Sequence, residues 1–257
     1  MHVDQSDSGA EAILAREFPS VHVIISSTRQ GPGGGRNACL RHCTVPFAVS
    51  FDDDSWPVDN DFFARTVELF AKHLDASVIG ATIWHRHQAE IQRTRSFRRT
   101  VSFTGCGCAI RISAYLSIRG YVPRPIAYGL EETDLSLQLF AAGRHIYESG
   151  DLRVFHDTEL SHHNSPEITE CVVANAALLA FLRYPIAMWS IGFLQVLSNV
   201  AYCLRAGRWR GVLAGLRRIP ADCVELRCYR DVLSTGAVIG YLCSRRSGRN
   251  VNRRQPT

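Results

Sequence analysis

Three consecutive carboxylates, Asp52-Asp53-Asp54, follow an apolar run at residues 45–51 and precede Ser55-Trp56-Pro57. Adjacent carboxylates at a strand end repel one another, so something positive must hold them. A hard divalent cation bound through oxygen fills that role and bridges readily to phosphate oxygens. A surface acidic turn is the plainer reading of the triplet alone. A second acidic group, Glu131, Glu132 and Asp134, stands where Leu135, Leu139 and Ala142 recur at helical spacing up to Gly143. That spacing puts the carboxylates in the first turn of a helix, with glycine as its stop. The positive end of the helix dipole stabilises anions there and holds a carboxylate ready as a base. Ordinary acidic capping gives the same pattern. Residues 149–157 predict a short strand ending at His156, an imidazole that serves as a metal ligand or a structural group.

These groups need elements to position them. Periodicity and punctuation predict a helix at residues 10–18, a strand at 21–25 and a strand at 45–51 leading into the Asp triplet. An amphipathic helix follows at 60–74, then a strand at 77–84. Residues 93–99 read as a basic loop. Residues 103–111 read as a strand whose glycines let another backbone or a ligand approach closely. The run Gly31-Pro32-Gly33-Gly34-Gly35 lacks the Lys-Ser/Thr of a phosphate-binding P-loop and reads as a flexible loop opening the helix that carries Arg36 and Asn37. Alternating strands and helices predict an α/β fold with a largely parallel sheet.

In this order and spacing the segments resemble the family 2 glycosyltransferases, which have the nucleotide-diphospho-sugar (GT-A) fold. The landmarks span residues 2–185: Gly31 to Asn37, Asp52-Asp53-Asp54, Thr104-Gly105-Cys106-Gly107-Cys108-Ala109-Ile110-Arg111, Glu131-Glu132 with Asp134-Leu135, and Val154-Phe155-His156. The resemblance implies an inverting transferase that moves a sugar from a nucleotide-diphosphate donor to a hydroxyl acceptor in cell-surface polysaccharide or glycolipid synthesis. Asp54 and His156 would hold Mg²⁺ or Mn²⁺, and Asp52 or Asp53 would contact the ribose. Asp4 is a partner for the base, and Arg36 lies near base or phosphate. Glu132 would take the acceptor proton, with Glu131 or Asp134 as alternatives. Arg111 and the Gly105-Cys106-Gly107 segment would shape the donor and acceptor cleft.

Two departures stand out. Glu131-Glu132 and Gln138 replace the commoner carboxylate pair and arginine of the family. The first strand and helix of the fold have no counterpart in this sequence, which predicts unpaired backbone groups mid-sheet and a missing wall of the nucleotide pocket. The expected architecture is therefore a Rossmann-like GT-A domain at residues 1–183, N-terminally truncated, with a helical appendage at 184–257.

Length and composition agree with one α/β domain plus an appendage: 257 residues, 46% hydrophobic. The nine cysteines are scattered and odd in number, which reads as reduced thiols in a cytosolic compartment. Cys39 with Cys43, and Cys106 with Cys108, match no usual zinc-ligand spacing and read as small buried thiols. Of the net charge of +5, residues 205–257 carry twelve Arg against Asp222, Glu225 and Asp231, that is +9, leaving −4 elsewhere. Residues 184–204 are uncharged, and Gln195, Ser198 and Asn199 within them favour an interfacial or core-packed helix over a true span. An apolar stretch with Arg-rich flanks predicts attachment to the inner face of a membrane, and no nucleic-acid partner is expected. The alternatives are a non-catalytic nucleotide-sugar-binding remnant, or a basic membrane-surface or nucleic-acid-binding protein with accidental acidic motifs.

Overall fold

The protein is described by a computed structural model that covers residues 1–4, 9–86, 88–126, 128–158 and 165–252, with side chains through Ser247. The chain begins with β1 (His2–Asp4), α1 (Ala10–Glu17) and β2 (Ile24–Ser26). There follow α2 (Gly31–His42), β3 (Phe47–Ser50), β4 (Ser55–Pro57), α3 (Phe62–Lys72) and β5 (Ala76–His85). Next come β6 (Phe97–Thr100), β7 (Cys108–Arg111), α4 (Ile112–Leu116), α5 (Glu131–Ala141) and β8 (His145–His156). Four helices close the chain: α6 (Pro166–Arg183), α7 (Trp189–Arg205), α8 (Val212–Glu225) and α9 (Thr235–Asn252).

The main sheet runs β3-β7-β5-β8, with β4 and β6 both on the far edge of β8. Within this sheet, among the described residues, β5 and β8 alone pair in parallel, while β3–β7, β5–β7, β4–β8 and β6–β8 are antiparallel; β1 and β2 form a separate parallel pair. The sheet is thus mixed, against the expected parallel majority. A strand buried on both faces shows an unbroken apolar run whichever way its neighbours point, so hydropathy cannot report direction. The basic loop expected at 93–99 also changes: Phe97–Thr100 zips onto the start of β8, which runs twelve residues rather than the short strand predicted. β1 pairs only with β2, and β3 only with β7, so each keeps one unpaired edge among the described residues. An apolar groove of about 460 Å³, lined by Phe47, Val49, Phe51, Phe63, Thr66 and Val67, lies between β3 and α3.

The glycine run is not a loop. Residues 31–35 form the first turns of α2, and Gly33, Gly34 and Gly35 are buried. A Cβ at Gly35 would stand 2.6 Å from the His2 ring, and one at Gly34 2.7 Å from Gln30. The glycines therefore serve close packing of α2 on β1, not flexibility. At the other end of the site, α5 stops as the sequence predicts: Gly143 takes φ +67°, and its N–H bonds back to Phe140.

One face of the sheet packs on α5 through Leu135, Leu139, Val78 and Ile146, the other on α3 through Phe62 and Phe70. The C-terminal helices share a third core with α5 and α6, including Leu137, Leu178, Leu226, Val238 and Tyr241.

Candidate functional site

The backbone brings the Asp triplet to His156. β4 pairs with the end of β8 in the register Ser55↔His156, and the Asp157 N–H donates to the Asp54 carbonyl at 2.8 Å. The Asp54 carboxylate then faces His156, with Oδ1 3.1 Å from Nε2. Ser55 Oγ accepts from the Asp52 N–H at 2.7 Å and tightens the turn. On the opposite side of the imidazole, Nδ1 stands 3.5 Å from the Cys106 sulfur.

A second line of contacts runs through Arg36 of α2. Its guanidinium donates to Glu131 at 2.8 Å, to Asp52, and through Nε to Ser50 Oγ at 2.9 Å. Burial works against this charge, but Glu131 and then Asp52 outweigh it and hold the group more firmly protonated than usual. Glu132 accepts the Gly105 N–H at 3.2 Å. Residues 103–107, expected as strand, form the turn before β7, and a Cβ on Gly105 there would fall 2.9 Å from both the Arg36 guanidinium and Glu132 Oε1, so glycine lets these charged groups close over the turn. Burial, and then the neighbouring Glu132, push the Glu131 carboxyl above the ordinary carboxylate range, against the pull of Arg36.

Strand ends and one helix start thus collect Asp52, Asp54, Cys106, Glu131, Glu132, Arg36 and His156 at one end of the sheet. Asp53 is exposed in the same turn. Asp54 and His156 suit a divalent cation, since adjacent ligands of an octahedral ion bound at about 2.1 Å stand about 3.0 Å apart. Asp52, Cys106 and His156 form a further set whose ligand atoms lie within 4.8 Å of one another.

Three expected site residues go elsewhere. Arg111 points along β7 to its far end, where its guanidinium caps α3 by donating to the Ala76, Phe70 and His73 carbonyls and lies over the Phe47 and Phe70 rings. It shapes no cleft. Asp134 is 1% exposed and bidentate to Arg183, at 2.5 and 2.9 Å, and it also accepts from Gln138. A carboxylate so enclosed cannot meet an acceptor, which removes it as a base. Asp4 spends both oxygens on the Gln30 and Gly31 N–H groups and so caps the start of α2.

Sequence reasoning missed the Cys106 contact, because its partners lie about 50 residues away on either side. It missed Arg183 for the same reason. It placed Arg36 near the site but not its bridging role. Trp56 and Trp84 flank Phe155, both at 5.0 Å between ring centroids, and form an aromatic wall next to His156. Trp56 stands directly after the Asp turn, a signal that was open to reading.

Residues 3–118 match the family described as glycosyl transferase family 2. No curated protein matches the chain. Solved structures share its fold, among them the following three. The mannosyltransferase PcManGT from Pyrobaculum calidifontis, in complex with GDP-Man and Mn²⁺, aligns over 99% of this chain and 77% of its own, with TM-score 0.52 and 15% identity. GalNAc-T7 with UDP, GalNAc and Mn²⁺ aligns over 71% of this chain and 40% of its own, with TM-score 0.52 and 12% identity. S. aureus TarS 1–349 with UDP-GlcNAc aligns over 89% and 79%, with TM-score 0.51 and 13% identity. The likeness establishes a GT-A α/β fold.

Proposed function

From the match of residues 3–118 to glycosyl transferase family 2, we propose that the protein is an inverting glycosyltransferase that moves a sugar from a nucleotide-diphosphate donor to a hydroxyl acceptor at a membrane surface. The observation that carries the reading is the convergence of Asp52, Asp54, His156, Arg36 and Glu132 on one end of the sheet through direct contacts. The nucleotide sugars and Mn²⁺ bound by the fold relatives support the same donor class and a cation of that kind.

Asp54 and His156 would hold Mg²⁺ or Mn²⁺, which supplies Lewis-acid neutralisation of the diphosphate leaving group. Asp52 or Asp53 contacts the ribose, and Arg36 fixes Asp52 for that purpose. Glu132 is the base. Gly105 N–H occupies its Oε1, leaving Oε2 to take the acceptor proton as the hydroxyl attacks the anomeric carbon. Glu131, held toward its neutral form, spares Glu132 a like-charge neighbour. Asp54→Asn tests the cation assignment: metal-dependent transfer falls by about 10²-fold or more while the fold persists. Unchanged turnover with unchanged metal dependence overturns it.

The acceptor is lipid-linked on this reading, and the C-terminal helices face the bilayer. Ile186–Arg205 is long and apolar enough to cross a membrane, and only 22% of it is buried. Two of its polar side chains point inward: Gln195 bonds Tyr184, and Asn199 bonds the Val172 carbonyl of α6. Phe193, Leu194, Leu197, Tyr202 and Leu204 point outward, with Trp209 and Leu213 beyond them. A helix seated on α6 along one side and apolar on the other suits monotopic insertion better than spanning. Exposed Arg205, Arg210 and Arg217 add about 1 kcal/mol each near anionic headgroups, reduced by salt. Arg218, by contrast, is spent on Glu170 and Asp222. The protein should sediment with anionic vesicles at low salt, and the joint change Phe193→Ser, Leu197→Ser, Trp209→Ser should release it. Indifference to anionic vesicles removes the membrane from the account.

A further inference from the structure

His156 presents its two ring nitrogens to two different donor sets. Nε2 faces the Asp54 carboxylate at 3.1 Å. Nδ1 faces the Cys106 sulfur at 3.5 Å, with an Asp52 oxygen in the same group of ligand atoms. The first set is hard, an oxygen and a nitrogen. The second contains sulfur, which selects a thiophilic cation over Mg²⁺ or Ca²⁺.

We propose that Asp52, Cys106 and His156 Nδ1 form a second cation position, of zinc type, that is separate from the Asp54 position and competes with it for His156. The spacing fits. A tetrahedral ion with a metal–sulfur bond of about 2.3 Å and a metal–nitrogen bond of about 2.0 Å holds those two donors about 3.5 Å apart. Arg36 engages one oxygen of Asp52, Oδ1, and leaves the other to a further partner. Cys106 is 2% exposed and Asp52 and His156 are half-buried, so the cluster offers a thiophilic ion three protein donors. Uptake breaks the Cys106 S–H bond, forms a sulfur–metal bond and releases the proton to water. Imidazole offers a lone pair from one nitrogen at a time while the other carries hydrogen. A cation on Nδ1 therefore turns an N–H toward Asp54 and disfavours a second ion there. The competition rests on the Asp54–His156 cation reading above; the thiolate position itself does not.

Cd²⁺ titration of the full-length, reduced protein tests this through the ultraviolet sulfur-to-metal charge-transfer band, with Mn²⁺ binding followed in parallel by electron paramagnetic resonance. The band should saturate at one equivalent, vanish in Cys106→Ser, and persist in Asp54→Asn and in the joint change of the exposed thiols Cys228→Ser and Cys243→Ser. Bound Mn²⁺ should be released as the band grows. Far-ultraviolet circular dichroism on Cys106→Ser distinguishes loss of a ligand from loss of fold. If that variant is unfolded, Asp52→Asn takes its place and should weaken Cd²⁺ binding at least tenfold. A band that survives Cys106→Ser, or one lost in Asp54→Asn, overturns the second position. Failure of Mn²⁺ to bind at all would remove the cofactor reading and leave the Cd²⁺ result standing.

Discussion

The front and back of α5 carry acidic side chains within one helical turn, yet they do opposite things. On the front, Glu131 and Glu132 meet Arg36 and the Gly105 N–H at one end of the sheet. On the back, Asp134 meets Arg183, which is 0% exposed and also donates to the Tyr229 carbonyl. Tyr241 of α9 adds a bond to the Thr133 carbonyl. Glu131 and Glu132 are only half-buried. The back pair is sealed and ties α5 to the C-terminal helices. Burial and partner, not position in the first turn, decide which carboxylate can do chemistry.

Breaking the back should cost the most. Arg183→Ala leaves Asp134 charged and buried without its partner, and denaturant unfolding should show a loss of about 3–5 kcal/mol. The joint change Asp134→Leu, Arg183→Met should recover part of that, since two apolar groups need no pairing. If Arg183→Ala leaves stability unchanged, the two faces do not differ as described.

A smaller effect sharpens the front. The fold holds Glu131 above its ordinary range, so between the ordinary carboxylate pKa and the raised one the native state binds a proton that the unfolded chain has lost. Stability is then full below the unfolded pKa and falls as pH rises through that window, by at most about 1.4 kcal/mol per pH unit for one proton. Glu131→Gln should flatten this part of the stability curve. An unchanged slope would mean that Glu131 titrates normally.

Much of the front was legible in the chain. The Asp triplet, His156 and the Glu pair announce themselves through residue type at strand ends and a helix start, and the structure brings them together. The back was not. Arg183 reads as the ordinary basic end of an apolar helix, and its partner lies 49 residues earlier. Arg111 misled because the resemblance implied a cleft-shaping role, whereas its guanidinium goes to the carbonyl end of α3. Sheet direction was hidden because Val78 and Ile79 are buried on opposite faces of β5 and show no alternation. The glycines of α2 misled because low helix propensity describes an isolated chain, whereas here close packing against His2 and Pro123 overrides it.

Glu132 carries the proposed chemistry most directly. Release of nucleoside diphosphate from a panel of UDP- and GDP-sugars, measured with Mn²⁺ and an acceptor, should be readily detected for the intact protein. It should fall about 10²-fold or more in Glu132→Gln, with donor binding and unfolding free energy unchanged. Turnover in Glu132→Gln equal to that of the intact protein, or no turnover of any donor by the intact protein, would contradict it.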